Sequence, residues 1–232
     1  LVGITEVTQR QWREVMGSAR SFSRCENCPV EMVSWYDAAA YANALSVREG
    51  LTACYALDAC TETPPYRRGA PGNRFSHEVG LSCEVVASVG PSCDGYRLPN
   101  RAEWDAYGAV GALAESRRHA HHYAAIFNNN RRITSQVADR RPNEHGLYDT
   151  LGNVEEWLDV RTSRPARVSD SRGHVAHRAW FLAAGTCFRT SLRELDPQHF
   201  HSELGSWGRD CVGFRLVRTA PRAADASGGA RG

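Results

Sequence analysis

Eight cysteines, at positions 25, 28, 54, 60, 83, 93, 187 and 211, constrain this chain more than any other feature of its sequence. An even count in loop-rich surroundings favours disulfide bonds and an oxidising compartment. The rival interpretation is a zinc site, since Cys25 and Cys28 have the spacing of half a structural zinc motif. No other cysteines are separated by two residues, so the second half of that motif is missing. We therefore expect disulfides to brace the fold, with free thiols as the remaining alternative.

Length and composition exclude several classes of function. A chain of 232 residues is most simply one domain. All 28 basic residues are arginine, which rules out lysine Schiff bases and phosphate-loop lysines. The 26 carboxylates leave a formal net charge of +2, so we expect neither nucleic acid nor an anionic membrane surface as a partner. No apolar run approaches the roughly 18 residues that a membrane helix needs.

Three helices are predicted from their N-terminal caps. Thr8 begins the first, in a capping-box pattern that runs to Gly17, and Ser34 begins a second that ends near Gly50. Asn100 begins the third, after a proline that keeps the preceding residue extended. After residue 110, turn residues and short apolar runs replace long helices. Residues 219–232 are small and polar, and we expect them to be disordered.

Residues 54–95 read as a hairpin insertion between the second and third helices. The segments 54–60 and 81–86 are strand-like, whereas 61–80 is rich in proline, glycine and arginine and reads as an exposed loop. Antiparallel arms would place Cys60 opposite Cys83 and Cys54 near Cys93. The hypothesis is completed by two further pairs, Cys25–Cys28 and Cys187–Cys211.

Five motifs occur in order along the chain: EVTQRQW at 6–12, PVEMVSWYDA at 29–38, GYRLPNRAEW at 95–104, GLYDTLGNVEEW at 146–157 and GFR at 213–215. Together they resemble the formylglycine-generating enzyme family, also called the sulfatase-modifying factor family. The resemblance implies a single α+β domain over residues 1–218, related to C-type lectins. Little regular secondary structure is expected in it beyond three main helices and short antiparallel strands. The strand that usually precedes the first motif is absent, and the chain starts at Leu1 without a signal-like stretch. We therefore expect a processed protein or part of a longer one.

The same resemblance implies a structural calcium site. In the family, an asparagine and a glutamate three residues apart, with a carbonyl between them, bind calcium, and oxygen donors of this kind are the ones calcium prefers. The matching positions here are Asn153, the carbonyl of Val154, and Glu156. The alternative is that Asn153 only satisfies a turn.

The oxidase chemistry of the family is not expected in this chain. Its oxidase members bind copper with two cysteines five residues apart, and thiolates are soft donors suited to Cu(I). Cys187 has no cysteine five residues to either side. Cys187 and Cys211 remain only weak catalytic candidates, and copper is not predicted. Three histidine clusters, at 119–122, 174–177 and 199–201, could bind iron or zinc, although short clusters of this kind are usually solvated surface.

Family members without the catalytic cysteines often serve as ligand-binding scaffolds, including the hypervariable proteins of diversity-generating retroelements, whose variable surface precedes the final strand. The corresponding segment here contains types of residue that dominate recognition hot spots. We take five of them as ligand-binding candidates: Arg189, His199, His201, Trp207 and Arg209. Trp180 and Phe181 lie in the same segment and read equally well as core residues.

The arginines divide into two groups. Arg97, Arg193 and Arg215 belong to family motifs and are interpreted as structural, Arg215 as a buried ion-pair partner. Loop arginines at 67, 68, 131, 132 and 209 could bind a carboxylate-bearing or sulfated ligand.

The leading hypothesis is a secreted, periplasmic or cell-surface bacterial pseudoenzyme of this family. It would be a calcium-stabilised, disulfide-braced module that binds a protein or a small molecule. The alternative is an enzyme: a divergent oxidase that uses Cys187 with Cys211, or a histidine-metal oxygenase.

Overall fold

The computed structural model describes residues 1–22, 24–63, 76–78, 80–83, 85–108, 119–127, 129, 133–169, 175–196 and 199–221. All three predicted helices are present, as α1 (Gln9–Met16), α2 (Trp35–Arg48) and α3 (Arg101–Tyr107). The capping residues Thr8, Ser34 and Asn100 each form a capping box. The capping side chain accepts a hydrogen bond from the backbone N–H three residues later, and the side chain of that later residue accepts one from the backbone N–H of the capping residue. Gly17 ends α1 in the left-handed conformation, at φ 69°, which glycine adopts without strain. Every helix in this described part is too short or too polar to span a bilayer.

The strands form one four-stranded sheet and several two-stranded pairs. They are β1 (Tyr55–Asp58), β2 (Thr61–Thr63), β3 (Ser76–Glu78), β4 (Gly80–Ser82), β5 (Val85–Ser88), β6 (Tyr96–Arg97), β7 (Glu155–Ser169), β8 (Val175–Ala184), β9 (Phe200–Leu204), β10 (Trp207–Arg209), β11 (Val212–Gly213) and β12 (Val217–Arg218).

The main sheet has the order β11-β7-β8-β9. Its strands β7 and β8 form a long antiparallel hairpin, and β11 runs parallel to β7. The strands β7 and β8 are longer than the short strands expected from the sequence.

The insertion forms two antiparallel ladders, β1 with β5 and β2 with β4. Two disulfides close it, Cys54–Cys93 and Cys60–Cys83, and Cys25–Cys28 is the third disulfide of the structure. The expectation that all of 61–80 is a loop is wrong, because strands lie at both ends of this segment. At its start, β2 pairs with β4, and near its end, β3 pairs with β10, which lies far along the sequence. Residues 64–75 and 79 lie outside the described part.

The core is built from aromatic side chains of the helices and the main sheet. The ring of Trp35 stacks on that of Phe181, with centroids 3.8 Å apart, so Phe181 is a core residue. The indole N–H groups of Trp35 and Trp157 donate to the carbonyls of Leu158 and Val33, which joins the start of α2 to β7. Such buried rings with satisfied N–H groups stabilise a domain that has few long helices.

Two further expectations concern the C-terminal part of the chain. Arg193 is exposed, and its interpretation as a structural residue stays a prediction. Of the predicted disordered tail, residues 219–221 are described, and the Thr219 hydroxyl donates to the Pro91 carbonyl at 2.7 Å. Residues 222–232 lie outside the described part.

Candidate functional site

Alternating side chains of β9 and β10 face each other across a half-buried polar site. Period-two alternation places His201 and Glu203 on one face of β9, and His199, the residue just before the strand, on the same face. Across from them, the Arg209 guanidinium donates to Glu203 Oε2 at 3.4 Å and lies 3.3 Å from His201 Nε2. Cys211 follows two residues after Arg209, in the turn between β10 and β11.

Glu155, the first residue of β7, adds a buried carboxylate to this site. Its backbone N–H donates to the Cys211 carbonyl at 2.8 Å, because β11 runs parallel to β7 at this point. Its side chain is 10% exposed, and Oε2 lies 3.4 Å from His201 Nδ1. Burial raises the pKa of Glu155 to about 7, with Arg209 lowering it and Glu203 raising it further. Glu155 Oε2 is buried without a hydrogen-bond partner, which is costly for a polar atom.

Cys187 and Cys211 lie beside Glu155 as free, buried thiols. The predicted disulfide between them is therefore wrong: the two sulfurs are in hydrogen-bonding contact and are not bonded. One carboxylate oxygen of Glu155 and the two sulfur atoms all lie within 4.8 Å of one another. The hydrogen bond to Cys187, together with burial, raises the pKa of the Cys211 thiol well above its usual range.

The two histidines complete a second group around the same carboxylate. Ligand atoms of Glu155, His199 and His201 also lie within 4.8 Å of one another. His199 is exposed and His201 is half-buried. Burial lowers the pKa of His201 to about 4, and the positive charge of Arg209 acts in the same direction. His201 is therefore a neutral imidazole at physiological pH, with a lone pair for a metal or a proton.

The structure brings three of the five predicted ligand-binding residues together in this cluster: His199, His201 and Arg209. Arg189 lies on the other side of Cys187, where its backbone N–H donates to Cys187 Sγ at 3.4 Å and its guanidinium pairs with Asp210. Trp207 is half-buried at the start of β10, on the same strand face as Arg209.

Two of the three donors predicted for calcium, the side chains of Asn153 and Glu156, are already engaged by protein groups. Both carboxylate oxygens of Glu156 accept hydrogen bonds from Arg215, at 2.9 to 3.2 Å, and both side chains are fully buried. The Asn153 side-chain oxygen accepts from the Ser135 N–H, and its amide donates to Glu6 Oε2. A guanidinium thus occupies the position opposite the carboxylate that a cation would need. These residues do not fit a calcium ion in this arrangement, and the calcium role stays an untested prediction.

The histidines of the cluster at 119–122 lie ring against ring. The rings of His119 and His122 are nearly parallel and those of His121 and His122 are tilted, and in the described part of the chain these residues belong to no group with metal-binding spacing. His174 and the side chain of His177 lie outside the described residues, as do the loop arginines 67, 68, 131 and 132.

Sequence reasoning singled out both cysteines and both histidines but missed Glu155 and Glu203. A signal for Glu203 was present, since residues 199–203 read His-x-His-x-Glu, an alternation that places all three on one strand face. Glu155 had no local signal, because its neighbour on the sheet, β11, lies more than 50 residues later.

Comparison with known proteins assigns the fold and the family. The sequence profile of the sulfatase-modifying factor enzyme 1-like domain (FGE-sulfatase) matches residues 2–220. The chain is 31% identical to the chaperone protein LppX of Paenibacillus barcinonensis, over 94% of this chain and 79% of that protein. Among solved structures, Treponema denticola variable protein 1 is 26% identical with a TM-score of 0.66, and covers 95% of this chain and 84% of its own. CarF, at 23% identity and a TM-score of 0.63, covers 95% of this chain and 86% of its own and shows the same fold. With a profile that spans nearly the whole chain and the five ordered motifs in place, the protein belongs to the sulfatase-modifying factor enzyme 1-like domain family.

Proposed function

We propose that this chain is a non-catalytic, extracytoplasmic binding domain of its family that holds extended polypeptide segments, as a chaperone-type factor. The observation that carries the proposal is the concentration of the predicted ligand-binding residues around one half-buried polar site. The relative named as a chaperone, similar over most of both chains, supports the same class of partner. Three disulfides support an oxidising, extracytoplasmic location.

The sequence around Cys187 supports a binding role. The positions five residues before and after Cys187 are Leu182 and Leu192, so the cysteine spacing of the copper-binding members is missing. Cys187 and Cys211 are also only 3% and 2% exposed, which leaves little access for a protein substrate.

The surroundings of the site suit an extended polypeptide. In the described part of the sheet, β9 pairs only with β8, so its other edge offers backbone groups to an added strand. Two apolar side chains near the turn that follows Cys187 are exposed, Phe127 by 40% and Leu192 by 37%. The Phe127 N–H donates to the Thr190 carbonyl, which holds the two apolar residues in the same region of the surface. Polar groups with flanking apolar contacts are typical of a recognition surface.

An array of extended peptides that differ in charge and apolar content tests this role. We expect the full chain to bind peptides rich in apolar residues, and Leu192→Asp or Phe127→Asp to weaken binding about tenfold or more, the size of a hot-spot effect. The matched control is Val47→Asp, which places the same charge on an apolar side chain that is 65% exposed at the end of α2. Equal losses in all three variants, or no binding by the parent chain, would contradict the proposal.

A second candidate function is favoured by the contact between the two thiols. Cys187 and Cys211, although far apart in sequence, form a pair of soft donors like that of the oxidase members. A Cys-x-Pro-x-Arg peptide incubated with the protein and copper separates the two functions. The binding proposal predicts no aldehyde in the peptide, whereas aldehyde formation that is lost in Cys187→Ser would establish the oxidase.

A further inference from the structure

We infer that Cys187, Cys211 and Glu155 form a binding site for a divalent cation of the zinc class. The inference does not depend on the proposed function, since an ion held here leaves the question of a polypeptide partner open. It also differs from the family's copper pair. The second thiol comes 24 residues after the first, and a carboxylate supplies the third donor.

The donor types and their spacing fit zinc. Zinc is borderline-soft and binds thiolate sulfur at about 2.3 Å and carboxylate oxygen at about 2.0 to 2.2 Å. The three donor atoms lie within 4.8 Å of one another, whereas neighbouring ligands of a tetrahedral zinc ion are about 3.3 to 3.8 Å apart. Small rotations of three side chains therefore close the site. The carboxylate argues for zinc over Cu(I), which prefers soft sulfur donors.

The site is built into the protein and is not a chance surface cluster. Both thiols are buried, and the ring of Phe188 packs with them in one buried apolar cluster. The Glu155 Oε2 atom is buried and makes no hydrogen bond, and its ion-pair neighbour at 3.4 Å is the His201 ring, which is neutral at physiological pH. A buried carboxylate oxygen without a hydrogen bond retains its capacity to bind a ligand, and this observation is independent of the thiols.

The surrounding charges and hydrogen bonds suit the bound state. Two thiolates and one carboxylate carry three negative charges, and a divalent ion leaves one of them to be balanced. The half-buried Arg209 guanidinium interacts with Glu155 and with both cysteines and offsets part of this charge, which it shares with Glu203. The backbone N–H of Arg189 donates to Cys187 Sγ, and a hydrogen bond of this kind orients a metal-binding thiolate.

His201 lies beside this site and not within it. Its Nδ1 atom is 3.4 Å from Glu155 Oε2, but it forms a separate group with Glu155 and His199, and its Nε2 atom lies 3.3 Å from the Arg209 guanidinium. The fourth coordination position of a zinc ion held by Cys187, Cys211 and Glu155 is therefore left to a water molecule or another ligand.

The test measures metal content, thiol state and a spectroscopic signature on the full chain, purified without reductant under inert gas. We expect one zinc ion per chain and two thiols that react with an alkylating reagent only after the metal is removed. Replacement of zinc by cobalt should give a thiolate-to-metal charge-transfer band and the intense visible bands of a tetrahedral site. Cys187→Ser and Cys211→Ser should lose the charge-transfer band, and Glu155→Gln should keep it while weakening zinc binding about tenfold or more.

Glu144→Gln is the matched control for the carboxylate, because Glu144 is exposed and does not belong to this cluster, and we expect this variant to bind zinc as the parent chain does. Circular dichroism and intact disulfide mapping of each variant separate loss of the site from loss of the fold. A Cys187–Cys211 disulfide in the purified protein, or two free thiols that bind neither zinc nor cobalt, would overturn the inference. Cobalt binding that lacks the charge-transfer band would overturn it as well.

Discussion

Asp149 is a buried carboxyl whose protonation controls part of the stability of this domain. Burial raises its pKa to about 6, although a hydrogen bond from the Ala138 N–H opposes the shift. An unfolded aspartate has a pKa of about 3.9, so the folded state binds the proton more tightly. The stability that this proton contributes is fully present below about pH 3.9 and is lost as the pH rises through about 6.

Asp149→Asn should therefore stabilise the protein at pH 8 by up to about 3 kcal/mol and have no effect near pH 4. The amide oxygen can keep the hydrogen bond from Ala138, and asparagine tolerates the left-handed backbone at this position, where φ is 57°. Urea unfolding at the two pH values measures the difference.

Asp94→Asn serves as the control of opposite sign. Hydrogen bonds from Thr52 lower the pKa of Asp94, so this carboxylate contributes stability above its unfolded pKa and loses it as the pH falls. We expect Asp94→Asn to be the less stable variant at pH 8, with the difference vanishing at low pH. A destabilised Asp149→Asn at pH 8 would contradict this account of the buried carboxyl.

At the residue scale, the strand faces of the site were predictable and their convergence was not. Period-two alternation through 199–203 and along β10 places the histidines, Glu203 and Arg209 on facing strand surfaces. What brings Glu155 to them is a parallel pairing with β11, a non-local contact that no local pattern encodes. The unbonded state of Cys187 and Cys211 was missed for a related reason: an even cysteine count favours pairing but carries no information on the distance between the sulfurs.

Among the elements, the helices followed from the sequence because a capping box is local, with donor and acceptor three residues apart. The strands β2 and β3 escaped prediction because they lie in a stretch rich in proline and glycine. The partner of β3 is β10, about 130 residues later, which no local pattern indicates.

The disulfides of the insertion and of the N-terminal loop should contribute unequally. In the chain-entropy description, the loop closed by Cys54–Cys93, with a sequence separation of 39, is worth about 4 kcal/mol. The loop closed by Cys25–Cys28, with a separation of 3, is worth about 2 kcal/mol. We expect the double alanine variant of Cys54 and Cys93 to lose about twice the free energy of unfolding lost by that of Cys25 and Cys28. Urea titration of the variants, with the other disulfides intact, measures this ratio, and equal losses would contradict it.

On the scale of the whole molecule, Arg215 ties the two ends of the chain to the main sheet. Its guanidinium pairs with Glu156 of β7 and donates to the carbonyls of Gly3, Ile4 and Tyr148. The predicted role as a buried ion-pair partner is therefore confirmed. Arg215→Ala leaves the Glu156 carboxylate buried and unpaired, and we expect a loss of about 3 to 5 kcal/mol in the free energy of unfolding.

Arg13→Ala is the matched control, since Arg13 pairs with Glu26 on the surface, where the side chains are 48% and 58% exposed. A surface ion pair is worth about 0 to 1 kcal/mol. If Arg215→Ala unfolds the protein, the double variant Arg215→Met with Glu156→Gln removes both charges together and should recover part of the loss. Losses of similar size for Arg13→Ala and Arg215→Ala would contradict the role of the buried pair.

The same arginine bears on calcium, because its positive charge lies against the carboxylate that the family resemblance assigns to the ion. A folded protein that binds calcium gains about 2.7 kcal/mol when the ion is present at 100 times its dissociation constant. For a domain of this size such a gain raises the melting temperature by several degrees. Since Arg215 already saturates Glu156 and Ser135 engages Asn153, we expect the melting temperature to change by less than about 1 °C between excess calcium and excess chelator. Calorimetry in the two buffers measures this difference. A melting temperature that is several degrees higher in calcium, with the increase abolished by Asn153→Ala, would contradict the expectation. It would mean that calcium displaces Arg215 from the Glu156 carboxylate and that the ion, not the arginine, joins the ends of this fold.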